Sequence, residues 1–170
     1  IASRTAKRCL AMEMKVQVYD PFKEAAEIKA AGCEPVPDLD AALPIADFVT
    51  IHCPKTPATV GLFDAARIGR MKPKSYLVNT ARGGIVKEAA LYDALVSGKL
   101  AGAGIDVFEV EPPPVSNALF ALPNVIVAPH VAGVTVEAVQ RMSEQTARNI
   151  LSVLDGDPIR QNVINQDVLG

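Results

Sequence analysis

Two histidines, an arginine in a glycine-flanked turn and a glutamate ahead of a proline run are the residues here whose types and settings could do chemistry. His130 stands in Ala128-Pro129-His130-Val131-Ala132-Gly133, directly after the β-branched run Val125-Ile126-Val127. A ketone that takes up a hydride needs a proton at its oxygen, and an imidazole kept charged by a nearby carboxylate can deliver one near neutral pH. Glu111 precedes Pro112, Pro113 and Pro114 at the end of Asp106-Val107-Phe108-Glu109-Val110-Glu111, and is the carboxylate suited to that pairing. Arg82 lies in Val78-Asn79-Thr80-Ala81-Arg82-Gly83-Gly84. Its planar fork can meet a carboxylate through two parallel hydrogen bonds, which suits a 2-oxo acid. The glycines after it permit a tight turn and the close approach of a ligand.

Two further positions have less decided roles. Asp20 ends the run Lys15-Val16-Gln17-Val18-Tyr19. A carboxylate at the end of the second strand of a dinucleotide fold can accept both ribose hydroxyls, but an aspartate before Pro21 can equally start a turn. His52, in Ile51-His52-Cys53-Pro54, reads as a hydrogen-bonded wall residue, since histidine has many structural uses.

The elements that must position these residues follow from periodicity. Helical spacing is expected over Ile1–Glu13, Ala25–Ala31, Leu39–Leu43, Glu88–Val96 closed by Gly98, and about Val136–Leu154. Strands are expected at Lys15–Tyr19, Glu34–Val36, a buried run Phe48–Ile51, Tyr76–Val78, Gly102–Ile105 and Val125–Val127. Short β-branched runs alternating with helices mean an α/β chain with a parallel sheet and crossover helices. The chemistry-bearing residues then all fall at strand carboxyl ends, where such sheets bind ligands.

Bulk properties narrow the classes. The 170 residues suffice for one sizeable core, and 49% hydrophobic with 21% charged residues excludes a disordered chain or a coiled coil. A net charge of -2, with the basic residues spread along the chain, leaves no footprint for nucleic acid. No apolar run reaches the roughly 18 to 20 residues of a membrane span, and no signal-peptide layout is visible. Cys9, Cys33 and Cys53 lack metal-ligand or disulfide spacing, so no metal is expected and a reducing cytoplasm suits them.

As a set, the motifs YDP (Tyr19–Pro21), HCPKTPAT (His52–Thr59), NTARGGIV (Asn79–Val86), GAGIDVFEVEPP (Gly102–Pro113) and NVIVAPHVAG (Asn124–Gly133) resemble the D-2-hydroxyacid dehydrogenase family, of the phosphoglycerate dehydrogenase and glyoxylate or hydroxypyruvate reductase type. The resemblance implies a Rossmann-like doubly wound parallel sheet that binds NAD. It also implies hydride transfer between NAD(H) and a small D-2-hydroxy or 2-oxo acid. Arg82 is then the carboxylate anchor, and His130 with Glu111 the acid–base pair. Cofactor contacts are implied from Ile1, Asp20, Cys53, Pro54, Thr80, Ala81, Arg82, Asp106, His130 and Gly133, with Asp106 near the nicotinamide amide.

The resemblance further implies a glycine-rich turn just before Ile1, with Ala2 in the place of its third glycine. The chain is therefore expected to be incomplete at its N-terminus. An NAD-binding domain is expected over 1–134, and a C-terminal helix and tail over 135–170 that return to a largely absent substrate domain. A cytoplasmic homodimer is the expected assembly. The rival expectation is an NAD-sensing, corepressor-like binding protein with little turnover.

Overall fold

The computed structural model describes residues 1–169; Gly170, the last residue of the expected polar tail, lies outside the described residues. The chain divides into two compact units, Ile1–His130 and Val131–Gly170.

The first unit runs α1 (Ala2–Ala11), β1 (Gln17–Val18), α2 (Ala25–Ala30), β2 (Glu34–Pro35), α3 (Leu39–Ala42), β3 (Phe48–Ile51), α4 (Ala65–Arg70), β4 (Ser75–Asn79), α5 (Glu88–Val96), β5 (Leu100–Ile105) and β6 (Val125–Val127). All strand pairs are parallel. They form a two-stranded sheet, β1–β2, and a four-stranded sheet in the order β3-β4-β5-β6. This corrects one expectation: Asp20 does not share a sheet with Arg82 and His130, because β1 pairs with β2 and not with β3.

Local chemistry accounts for the element ends. Asp38 and Asp64 accept the backbone N–H groups of Asp40 and Arg67 and so cap α3 and α4. α4 is absent from the sequence reading, since six residues with Gly69 inside carry little helical periodicity; the Asp64 cap was its one readable signal. Gly98 ends α5 at φ +70°, the left-handed region that glycine enters without steric cost.

One face of the four-stranded sheet holds the core. Leu77 and Leu100 are completely buried, with Ile51, Ala103 and Ile105 beside them and Ile68, Leu91, Ala94 and Leu95 of the helices packed in the same cluster. Burying each such Leu or Ile is worth about 1.5–3 kcal/mol. The run Phe48–Ile51, expected to be buried, is not: Phe48 is 55% exposed, and Thr50 is exposed with it. The residues of β3 alternate in direction, so Ile51 enters the core while Phe48 lies on the open face and stacks on Tyr76 at 5.0 Å.

The second unit contains α6 (Val136–Leu154), capped by Thr135 Oγ1, which accepts the Ala138 N–H. Two short 3-10 turns follow, at Arg160–Asn162 and Gln166–Leu169.

Candidate active site

Strand register brings the site together. Ile51 pairs with Asn79, Asn79 with Ile105 and Ile105 with Val127, so β3, β4, β5 and β6 end on one line. The next residues along that edge are His52, Thr80, Asp106 and Ala128. The ladder continues one step further, as the Asp106 N–H donates to the Asn79 carbonyl at 3.0 Å and the Ala128 N–H to the Ile105 carbonyl at 2.9 Å.

Asn79 shapes the turn after β4. It is 2% exposed, its side-chain amide donates to the Arg82 carbonyl at 3.0 Å, and its Oδ1 accepts the Ala81 N–H at 3.1 Å. A buried amide with both ends satisfied holds Thr80, Ala81 and Arg82 in one conformation. Sequence reasoning passed over Asn79, although its place at the last position of a buried strand was a signal for such a role. Arg82 itself is exposed, with Nη1 donating to the Ala81 carbonyl at 2.6 Å.

The two glycines after Arg82 do different work. Gly84 turns the chain at φ +80°. Gly83 allows a close approach, but of chain to chain: a Cβ there would lie 1.6 Å from the Phe108 carbonyl oxygen. The turn carrying Arg82 therefore rests against the loop carrying Glu111. Gly83→Ala is expected to lower stability by about 1–3 kcal/mol, because backbone rather than a flexible side-chain end must move. Urea unfolding of the variant checks this, and an unchanged midpoint would remove the contact from consideration.

Glu111 and His130 are in direct contact. Glu111 Oε2 lies 2.7 Å from His130 Nδ1, and Glu111 Oε1 accepts the Phe108 N–H at 2.9 Å. The hydrogen bond to His130, the Phe108 N–H and the charges of His130 and Arg82 hold the Glu111 carboxyl below its ordinary range, against the opposing effect of desolvation. With Nδ1 engaged, Nε2 is the ring nitrogen left to meet a reacting oxygen. His130 has φ +58°, an uncommon conformation for a residue with a side chain, and one found repeatedly at sites under functional constraint.

The remaining expected site residues are distributed as follows. Asp106 is 3% exposed at the end of β5. Cys53 and Pro54 follow His52; burial raises the Cys53 thiol above its ordinary range, and the Pro54 carbonyl accepts the Thr59 hydroxyl at 2.6 Å. His52 Nε2 lies 3.0 Å from Thr50 Oγ1, and burial pushes its ring down in pKa. Ile1 is the N-cap residue of α1 and is exposed, and Gly133 lies in the second unit. Asp20 is exposed beyond β1, and its Oδ1 accepts the Phe22 N–H at 3.0 Å, so the turn reading of this residue holds. Oδ2 remains to accept a hydroxyl.

A parallel α/β fold with an arginine, a histidine–glutamate pair and a strand-end aspartate on its carboxyl edges has the architecture of a dinucleotide-binding domain. Residues 1–132 match the family described as D-isomer specific 2-hydroxyacid dehydrogenase, NAD binding domain, and the chain belongs to that family. It is 42% identical over 165 residues to D-3-phosphoglycerate dehydrogenase of Archaeoglobus fulgidus, covering 97% of this chain and 31% of that protein. It is 41% identical to glyoxylate reductase of Thermofilum pendens, covering 99% of this chain and 50% of that protein. Its structure is similar, with a TM-score of 0.84 and 30% identity, to the NAD-complexed D-isomer specific 2-hydroxyacid dehydrogenase of Lactobacillus delbrueckii ssp. bulgaricus, covering 96% of this chain and 52% of that one. The chain thus spans 31% to 52% of the length of these relatives.

The donor chemistry present fits NAD. Asp20 offers an exposed carboxylate with an oxygen to spare, suited to a ribose diol.

Proposed function

We propose that the protein interconverts small D-2-hydroxy acids and 2-oxo acids with NAD(H), with Arg82 as carboxylate anchor and His130 and Glu111 as the acid–base pair. The observation that carries this reading is the 2.7 Å contact between His130 Nδ1 and Glu111 Oε2 beside the Arg82 turn. Bound NADH supplies the hydride. Arg82 holds the substrate carboxylate, which turns the 2-oxo group toward His130 Nε2. His130 gives its proton to the ketone oxygen as that oxygen gains charge, and takes it back in the oxidative direction. Glu111 fixes the ring orientation through its contact with Nδ1.

Ile1 and Asp20 serve the dinucleotide at the α1 and β1 ends, Cys53, Pro54, Thr80, Ala81 and Asp106 line the strand ends, and Gly133 follows His130. Asp106 is assigned to the nicotinamide amide. The reading includes a cytoplasmic homodimer, with the domain over 1–134 and the segment over 135–170 returning to a substrate domain; three free cysteines accord with a reducing compartment. The test is turnover of the full polypeptide with NADH against a panel of 2-oxo acids, followed by cofactor absorbance. Binding of NADH without turnover of any member would instead indicate a cofactor-sensing protein.

NAD is expected to be preferred over NADP, with kcat/KM higher by about tenfold or more. The Asp20 carboxylate faces the 2′-phosphate as a like charge, and neither Pro21 nor Phe22 supplies a cation. Measuring kcat/KM for both cofactors decides it, and equal values would sink the assignment of Asp20 to the ribose.

A further inference from the structure

Glu111 sits on an exposed loop, and a catalytic carboxylate must be held to within a fraction of an ångström to serve one ring nitrogen. Part of its support is the Phe108 N–H. The loop on either side of it is bonded to a pair of glutamates that the proposed chemistry does not use. The Glu88 N–H donates to Glu109 Oε1 at 3.0 Å, and the Glu109 N–H donates back to Glu88 Oε1. Glu88 Oε2 accepts from Asn117 Nδ2 at 2.8 Å.

Glu88 thus grips the acidic loop on both sides of Glu111, two residues before it and six after. Glu88 is also the first residue of α5 and follows Arg82 by six residues, so it ties the two site loops to one helix end. The two carboxylates do not oppose each other bare, because each faces a backbone N–H. Lys87 occupies the N-cap position of α5 and makes no side-chain cap bond, having no acceptor to offer. Glu109 reaches across from the other loop and satisfies the first amide of the helix, where a negative charge is favoured.

Resting on the acid–base reading above, we propose that Glu88 and Glu109 form a clasp that positions Glu111 against His130 and thereby sets the pH range of the reaction. They are positioning residues that act through Glu111. The charged groups that act on Glu111 itself are His130 and Arg82. Breaking the clasp leaves those charges in place and loosens the carboxylate among them.

The experiment uses the full polypeptide with NADH and its best 2-oxo acid, and compares wild type with Glu88→Ala, Glu109→Ala, Glu109→Gln, Glu111→Gln and the double variant Glu88→Ala with Glu111→Gln. Glu88→Ala and Glu109→Ala are each expected to move the basic limb of the reductive profile to lower pH by about half a unit or more, in the same direction as Glu111→Gln. They should lower kcat on the alkaline side while KM for NADH stays within about twofold. Glu109→Gln keeps an acceptor for the Glu88 N–H and is expected to restore the wild-type profile. The double variant is expected to match Glu111→Gln alone, since the clasp then has no carboxylate left to place.

If Glu88→Ala does not fold, Glu88→Gln, which keeps one acceptor oxygen, takes its place with a smaller shift. Alanine variants that lose melting temperature but keep the wild-type profile, while Glu111→Gln shifts, would overturn the clasp and leave the acid–base reading standing. Absence of turnover, or an unshifted Glu111→Gln, would overturn both.

Discussion

Replacing His130 by Asn is expected to lower reductive turnover by about 10²–10⁴-fold at every pH, the range that a positioned general acid contributes. Asparagine keeps a polar side chain near Glu111 but has no proton to give in this pH range. Glu111→Gln is expected to differ in kind. On the proposed reading the reductive step draws a proton from the ring, so its rate is expected to fall on the alkaline side. Glu111 is the partner bonded to Nδ1 of that ring, and its removal is expected to move the basic limb to lower pH. In the oxidative direction the neutral ring is needed, so the acid limb moves to lower pH as well, and the same substitution helps one direction where it harms the other.

The acid side has its own sign. The Glu111 carboxyl titrates below its ordinary range because of His130, the Phe108 N–H and Arg82. The stability this gives the folded form is complete above the ordinary glutamate range and is lost as pH falls through the depressed value. Rates measured across pH in both directions, at saturating cofactor and with NADH affinity checked first, test the pair. An asparagine variant with wild-type rates, or a glutamine variant with unshifted limbs, would show that the contact is only structural.

The strands and helices were legible where apolar alternation and length agreed, as at Val125–Val127 and Glu88–Val96, which are present as expected. α4 escaped because its helix is short and holds Gly69, which leaves little helical periodicity to read. Burial of β3 was misjudged because a β-branched run states that a strand forms, not how many of its faces are covered; Phe48 lies on the open one. Asp20 satisfied two local patterns at once, and its bond to the Phe22 N–H meets the turn pattern while leaving an oxygen for the other. The site's supports were the least readable part. Gly83 meets Phe108, and Glu88 meets Glu109, across more than twenty residues of chain. Nothing in the spacing of either motif announces that the two loops touch.

Arg82→Ala is expected to lower kcat/KM for the 2-oxo acid by about 10²-fold or more, while KM for NADH changes by less than about twofold. Asn79 holds the Arg82 carbonyl and the Ala81 N–H, so the turn that carries the guanidinium is set by the fold itself. A hydrogen bond to a charged partner is worth about 1.5–3 kcal/mol, and two in parallel also fix the orientation of the ketone toward His130. Arg82→Lys separates charge from fork. Lysine keeps a cation near Glu111 but presents a point charge that cannot orient a carboxylate, so this variant is expected to lose about tenfold or more, chiefly in kcat. The comparison matters because Arg82 also helps keep Glu111 ionised. If alanine acted only through Glu111, lysine would restore activity and the alanine defect would vanish at pH values where Glu111 is fully charged. Steady-state kinetics of both variants across pH distinguish these outcomes, and kcat/KM within about threefold of wild type in Arg82→Ala would remove the residue from substrate binding.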